Sequence, residues 1–427
     1  MRVLAALLLV LAALPASAQI SGGGCTMEHV KPVFNFPPFG TFNLPSYLQL
    51  TCLDTQWQVY VRNTDRGLQV GPALLVRKKG DAPVAVLKFA NVSENITLYH
   101  EGNTRLNDTQ FANQVNAIPK LNATDLDANG MLLTLDGETA PRAAAELRSR
   151  GFAWFCTWDL GKSVSRRGME MAIWGVWDTG NYDYLIEYTF RDDGQISFRA
   201  GATGWNNDKD VPSSEAHTHD LLWRVDIHLG SGDQNTARVW THQETSLSAV
   251  DSKVLFNNGR EGFMDLDDHE FRTLVIEDDS PQTRNAHNQR IGYALHPHRD
   301  GTGRHFGPGE RWTHHDTYIT RYSDAEFGAA LGSGNAWLGA DDYLLGTSAN
   351  NFGVFNQEST TNGDLVLWHV ATAHHEPHDE DQAGGDLTFG YKGITLIHWA
   401  GFDLVPHNLF DANPLGSPHR QSCNGPP

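Results

Sequence analysis

The sequence predicts a mainly β protein built as a large antiparallel β-sandwich, and three observations carry that expectation. Short runs alternate apolar and polar residues with a period of two between Gly, Asn and Asp turns. Long segments with helical periodicity are few. No internal repeat and no clean linker divides residues 46–427, so one large β domain is expected there.

The elements follow in chain order. Arg2 gives a basic start, residues 3–14 are apolar, and Ala16-Ser17-Ala18 has the small-x-small form of a cleavage site. Residues 1–18 therefore read as a secretory signal peptide, and the protein is expected to be secreted, outside the cell or in a periplasm. Residues 19–45 carry Gly22-Gly23-Gly24 and Pro37-Pro38 and read as an extended arm. Beyond them, residues 57–61, 84–89, 186–190, 196–199 and 394–399 read as strands. Residues 140–150 and 324–331 are the best short helices. The four cysteines, Cys25, Cys52, Cys156 and Cys423, suit an exported protein with disulfides, and all three pairings stay open. The sequons at Asn91, Asn95, Asn107 and Asn122 would place that region on the surface if they carry glycans.

Charge narrows the partners. With 32 basic and 51 acidic residues the formal charge is −19, which argues against nucleic acid or an anionic membrane and favours cationic ligands such as amines. No stretch after the signal peptide approaches the roughly 18 apolar residues of a membrane-spanning helix.

Three segments carry chemistry. In residues 217–229, alternation puts His217, His219, Leu221, Trp223, Val225, Ile227 and Leu229 on one face. Two imidazoles at i and i+2 on an inward face can share one ion, and imidazole suits copper and zinc. The same pattern also fits two core histidines with no metal. The second segment, Asn181-Tyr182-Asp183-Tyr184, opens a strand whose inward set is Tyr182, Tyr184, Ile186, Tyr188 and Phe190; taken alone it reads as aromatic core. The third runs from Asp364-Leu365-Val366-Leu367-Trp368 to His374-His375-Glu376, an apolar strand ending in histidines. His296-Pro297-His298 has the same His-x-His form but lies in a polar, Gly-rich stretch and reads as an exposed loop.

At these residues the sequence resembles the copper amine oxidases. Asn181-Tyr182-Asp183-Tyr184 is similar to the family's cofactor motif, in which the Tyr after Asn becomes topaquinone. His217-Thr218-His219 resembles its copper pair, and His375 with Glu376-Pro377 its third copper histidine. The closing Asn408-Leu409-Phe410-Asp411-Ala412-Asn413-Pro414 and the run from Ser93 to Tyr99 resemble two further family segments, in the family's order.

The resemblance implies a primary amine oxidase that uses O₂ and releases aldehyde, ammonia and hydrogen peroxide. It implies copper on His217, His219 and His375 and a quinone made from Tyr182, with Asn181 and Asp183 flanking the cofactor. Alternation turns Asp183 away from Tyr182. Tyr99 would hydrogen-bond the cofactor. Asp108, which follows Tyr99 as the family order requires, would be the proton-abstracting base, with Asp125 and Asp127 next in line. A second metal site, calcium-like in the family, would fall on Asp226, Asp364 and Leu365, where the usual Asp-x-Asp reads Asp226-Ile227-His228. The family's usual Thr four residues before the cofactor Tyr is Asp178 here, followed by Thr179. A homodimer is implied as well. The rival expectation is a secreted copper-binding sandwich without turnover.

Overall fold

The computed structural model describes residues 18–36, 40–64, 67–99, 105–107, 118–159, 162–179, 182–205, 216–244, 247–266, 271–298, 311–322, 358–376 and 394–416. In chain order the strands are β1 (Gln19–Gly22), β2 (Cys25–Val30), β3 (Val33–Phe36), β4 (Gly40–Asn43), β5 (Tyr47–Cys52), β6 (Thr55–Thr64), β7 (Gly67–Val76) and β8 (Val84–Tyr99). Next come β9 (Arg105–Asn107), β10 (Gly130–Leu133), β11 (Ala143–Asp159), β12 (Lys162–Asp178), β13 (Tyr182–Arg191), β14 (Ile196–Trp205) and β15 (His217–Ile227). The chain closes with β16 (Asn235–Glu244), β17 (Ala249–Leu255), β18 (Gly262–Met264), β19 (Phe271–Asp278), β20 (Gly292–His298), β21 (Thr317–Arg321), β22 (Leu365–His375) and β23 (Ile394–His407). Among the described residues no helix is long and apolar enough to cross a membrane.

Two antiparallel sheets hold nearly all of these strands. One has eleven strands, in the order β1-β2-β5-β6-β7-β8-β15-β22-β21-β18, with β9 on β8; the other has ten, in the order β10-β11-β12-β13-β14-β23-β20-β19-β16-β17. Their inner faces interdigitate into one core, as a sandwich requires. Trp223 of the first sheet meets Tyr188, Phe198 and Phe402 of the second at ring separations of 5.7, 6.0 and 6.0 Å, all edge to face. The expected β-sandwich is therefore present, with strands at every position named for one.

Strand β15 lies between β8 and β22, paired with both along its length. Its inward alternation is as read, since His217, His219, Leu221, Trp223, Val225 and Ile227 are all buried. The opposite face is buried too. Leu222 packs with Ile96, Trp312, Tyr318, Val366 and Trp368 in a second cluster. The Arg224 guanidinium lies over the rings of Phe89, at 4.8 Å, and Trp368, at 5.2 Å.

Four expectations are corrected. Residues 19–45 are not an unpacked arm: β1 and β2 join the first sheet, Cys25 and Met27 enter the core, and Cys25 is disulfide-bonded to Cys52 across the β2–β5 ladder. The glycines that suggested an arm form a two-residue hairpin turn, with Gly23 and Gly24 both at positive φ, 57° and 82°. Residues 140–150 are not a helix but the start of β11, held between β10 and β12. Ala143 and Ala145 bury on one face and Ala144 on the other, so cross-strand pairing outweighs alanine's helical preference. His296-Pro297-His298 is the end of β20 rather than a loop, although both histidines are exposed as expected. Pro297 is tolerated because β20 has lost β19 by that point and pairs with β23 alone. Finally, Asn91 and Asn95 are buried in β8 rather than on the surface, whereas Asn122 is exposed. Cys156 is also disulfide-bonded. Residues 324–331 and Cys423 lie outside the described residues.

Candidate functional site

Three strand ends converge at one rim of the sandwich. Tyr182 is the first residue of β13, His217 opens β15, and His375 closes β22. The β15–β22 register sets His217 directly opposite His375, and the β15–β8 register sets His217 opposite Tyr99. Because β13 faces β15 across the core, the inward side chains of the first two residue pairs meet. Tyr182 is buried, as are His217, His219 and His375.

The phenolic oxygen of Tyr182 lies 2.9 Å from His217 Nε2 and 3.5 Å from His375 Nδ1, and these two nitrogens are 3.3 Å apart. Two nitrogens bound to one ion at about 2.0–2.1 Å are separated by roughly 2.9–3.4 Å, so the pair is already spaced as co-ligands. The His219 ring packs 4.8 Å from that of His217 and 4.6 Å from that of Tyr182. Its Nδ1 is engaged by Tyr184 Oη at 2.9 Å and Thr97 Oγ1 at 3.2 Å. Its Nε2 is buried and has no hydrogen-bond partner among the described residues. A buried ring nitrogen without a partner is costly unless it binds something. Burial, and then the neighbouring His217, His375 and His398 rings, hold the His219 imidazole well below its usual range. It is therefore neutral and keeps a lone pair to donate. Three imidazoles beside a phenol fit copper, and the described residues can hold it.

Not every residue expected at the site joins it. Asp183 turns to the opposite face of the sheet from Tyr182, as strand alternation requires, and does not join the histidines. It pairs with Asp178 across β12 and β13, and burial, then that neighbour, push its carboxyl up to about 6. Tyr99 ends β8 beside His217, while its side chain lies outside the described part of the structure. Asn181 and Asp108 lie outside the described residues. Asp125 and Asp127, the reserve candidates for the base, are exposed near a short 3₁₀ turn.

Other residues join the site that the sequence did not single out. Thr97 is one, brought beside His219 by the β8–β15 register. His398 of β23 is another, with its ring 4.5 Å from that of His375. Thr179 is a third: its hydroxyl and its backbone N–H both donate to the Tyr182 carbonyl, at 2.7 and 3.0 Å, closing the turn that presents Tyr182. Periodicity puts His398 in a strand, and Thr179 stands beside the cofactor motif in the sequence. Only the register between distant strands reveals the contacts of Thr97 and His398, whereas that of Thr179 is local to its turn.

The residues expected at the second metal site meet at the other end of β15. Ligand atoms of Asp226, His228 and Asp364 lie within 4.8 Å of one another. Burial, and then Asp364, push the Asp226 carboxyl up to about 7. Leu365 is a core side chain, paired on both sides with Ile227 and Arg321. Calcium takes six to eight oxygen ligands. The side chains offer two carboxylates and an imidazole, so the other oxygens would have to come from backbone carbonyls or water, and the Lys88 ammonium already stands 3.3 Å from Asp364 Oδ2 and 3.6 Å from Asp226 Oδ2. With that ammonium beside both carboxylates, the side chains as placed do not fit calcium.

Comparison with known proteins gives a consistent picture. Residues 150–423 match the copper amine oxidase enzyme domain. The chain is 26% identical over 266 residues to the copper amine oxidase vicK1 of Bipolaris victoriae, covering 55% of this chain and 36% of that protein. It is 26% identical over 350 residues to the primary amine oxidase of Klebsiella aerogenes, covering 69% and 43%. In fold it is similar to the copper-containing benzylamine oxidase of Hansenula polymorpha, with a TM-score of 0.66 at 18% identity, covering 86% of this chain and 60% of that one. The amine oxidase of Aspergillus nidulans gives a TM-score of 0.64 at 18% identity, covering 86% and 52%. The chain thus spans less than half the length of these curated relatives. The matched region contains Tyr182, His217, His219 and His375, and by that match the chain belongs to the copper amine oxidase family, through its enzyme domain.

Proposed function

We propose that the chain is a copper- and topaquinone-dependent primary amine oxidase, acting after export. The observation that carries the reading is the approach of the Tyr182 oxygen to His217 Nε2 and His375 Nδ1, at 2.9 and 3.5 Å. When bound, copper and the quinone made from Tyr182 supply an electrophilic carbonyl and a two-electron redox couple that ordinary side chains lack. The net reaction takes a primary amine, O₂ and water to an aldehyde, ammonia and hydrogen peroxide.

The chain's own residues have separate tasks. His217 Nε2, His219 Nε2 and His375 Nδ1 are the three nitrogens assigned to the metal. The His219 proton is assigned to Nδ1, where the Tyr184 and Thr97 hydroxyl oxygens can accept it, and that assignment leaves Nε2 deprotonated. Thr179 holds the Tyr182 carbonyl and with it the start of β13. Asp108 is assigned the abstraction of the substrate α-proton and Tyr99 the hydrogen bond to the cofactor. The excess of acidic residues draws cationic amines toward the protein. A homodimer is part of the same reading, and sedimentation showing only monomer would count against it.

The test is purification without metal and without air, followed by copper and O₂ while the visible spectrum is recorded. A quinone band, a phenylhydrazine adduct on Tyr182 and peroxide release with a primary amine are expected. Tyr182→Phe should be folded, colourless and inactive. Copper binding with no colour and no peroxide would instead support the copper-binding relative without turnover, and an adduct on Tyr184 would move the cofactor.

A further inference from the structure

The second acidic site offers an inference independent of the oxidase reading. We propose that its cation is the chain's own Lys88 ammonium, built into the fold in place of a divalent metal.

The local strand geometry places this lysine deliberately. Along the β8–β15 ladder, Asp226 faces Phe89 and Ile227 faces Leu87, so Lys88 is an extra residue with no partner in register. That is a β-bulge, which turns two successive residues to the same side of a strand. Leu87 and Ala90 point into the core, while Lys88 and Phe89 both face outward. Phe89 lies under the Arg224 guanidinium. Lys88 reaches the end of β15, where its ammonium stands 3.6 Å from Asp226, 3.3 Å from Asp364 and 3.5 Å above the centre of the Tyr322 ring. Gly71 of β7 packs against the bulge so closely that a Cβ there would lie 2.6 Å from the Lys88 carbonyl oxygen and from the Phe89 Cα. The neighbouring strand is thus shaped to accept the extra residue.

The electrostatics make the two occupants exclusive. Asp226 is fully buried, and a buried carboxylate needs a compensating charge. Burial alone would lower the lysine's proton affinity; Asp226 and Asp364 outweigh it and raise it, so the ammonium is charged. A divalent ion entering between the same two carboxylates would sit within a few ångströms of that charge. It could bind only after Lys88 withdrew.

Metal analysis of the copper-loaded protein after dialysis against calcium should find copper and no stoichiometric calcium. Tb³⁺ titration, read as emission sensitised by the adjacent Tyr322, should show no saturable binding. Lys88→Ala, with the carboxylates freed, should bind Tb³⁺ saturably, at least about a hundredfold more tightly than the limit that the wild-type titration sets, because it loses a like charge at close range. It should also gain thermal stability on calcium addition. Lys88→Arg should behave as wild type. Lys88→Gln is the second variant if Lys88→Ala does not fold. One calcium per wild-type chain, or saturable Tb³⁺ binding to wild type, overturns the proposal. So does a folded Lys88→Ala or Lys88→Gln that gains no affinity for either ion.

Discussion

Removing the hydroxyl of Tyr184 tests whether the second row of hydrogen bonds prepares His219 for a metal. In the folded protein His219 Nδ1 has two oxygen partners, Tyr184 at 2.9 Å and Thr97 at 3.2 Å, and Nε2 has none among the described residues. The tautomer with its proton on Nδ1 is therefore favoured, and that is the one that leaves Nε2 free to ligate. Tyr184→Phe leaves Thr97 as the remaining partner. Tyr184→Phe with Thr97→Val leaves neither, and a buried donor without a partner costs about 1–3 kcal/mol. The expected loss of copper affinity is about tenfold for the single variant and about a hundredfold for the double, the range known for outer partners of ligating histidines.

Tyr188→Phe is the matched control. It deletes the same atom from the same face of β13, where the hydroxyl donates to the Leu68 carbonyl at 2.7 Å. It should lower stability by about 1 kcal/mol and leave copper affinity unchanged. The assay is competition for copper with a chromophoric chelator, on variants shown to be folded by circular dichroism. A double variant within about twofold of wild type would refute the tautomer argument, since the outer-partner range excludes so small an effect.

Two further outcomes follow from the packing. Glu261 is buried, its carboxyl pushed up to about 7 by burial against two backbone N–H donors, from Arg321 and Glu358. A folded value above the unfolded one means that its contribution is fully present below the unfolded pKa and is lost as pH rises through about 7. Glu261→Gln should therefore gain on wild type, by about 1–2 kcal/mol after allowance for screening, between about pH 5 and about pH 8 in paired urea titrations. A difference that stays flat with pH would mean the carboxyl titrates normally. The Cys25–Cys52 disulfide closes a loop with a sequence separation of 27. Replacing both cysteines with Ser should cost about 3 kcal/mol in urea unfolding while copper affinity holds. Loss of copper along with the disulfide would show that the outer strands and the site are coupled.

Much of the site is legible along single strands. Alternation alone puts Tyr182 and Tyr184 on one face and His217 and His219 on another, and each proves to be inward. Alternation says nothing about which strands become neighbours. Thr97 and His398 escape notice for that reason, each meeting its histidine only through a partner far away in sequence. Alternation also leaves open what covers the outward face of β15, where Asp220, Arg224 and Asp226 are all buried on the side of the cluster around Trp312 and Trp368. Local composition misleads where pairing overrides it, as in the alanines of β11 and the glycines between β1 and β2. A one-residue bulge is also invisible to a period of two, and it is the bulge that delivers Lys88.

Both acidic and histidine sites hang on one strand, and its position explains why it can serve them. β15 is hydrogen-bonded on both sides and buried on both faces, so its backbone has little freedom to bend. Its first residues, at the rim, point into the sandwich and carry His217 and His219. Its last turns carry Asp226 on the opposite face. At about 3.3 Å per residue the two sites are held some tens of ångströms apart by a rigid element. A metal at the rim needs fixed spacing between donors from β15 and β22, and that spacing depends on the register of the β15–β22 ladder. The Lys88 bridge ties β8 to β15 at Asp226 and to the start of β22 at Asp364. It thereby clamps the far end of the same ladder that sets His217 opposite His375. An internal ammonium does this with no dependence on a calcium supply.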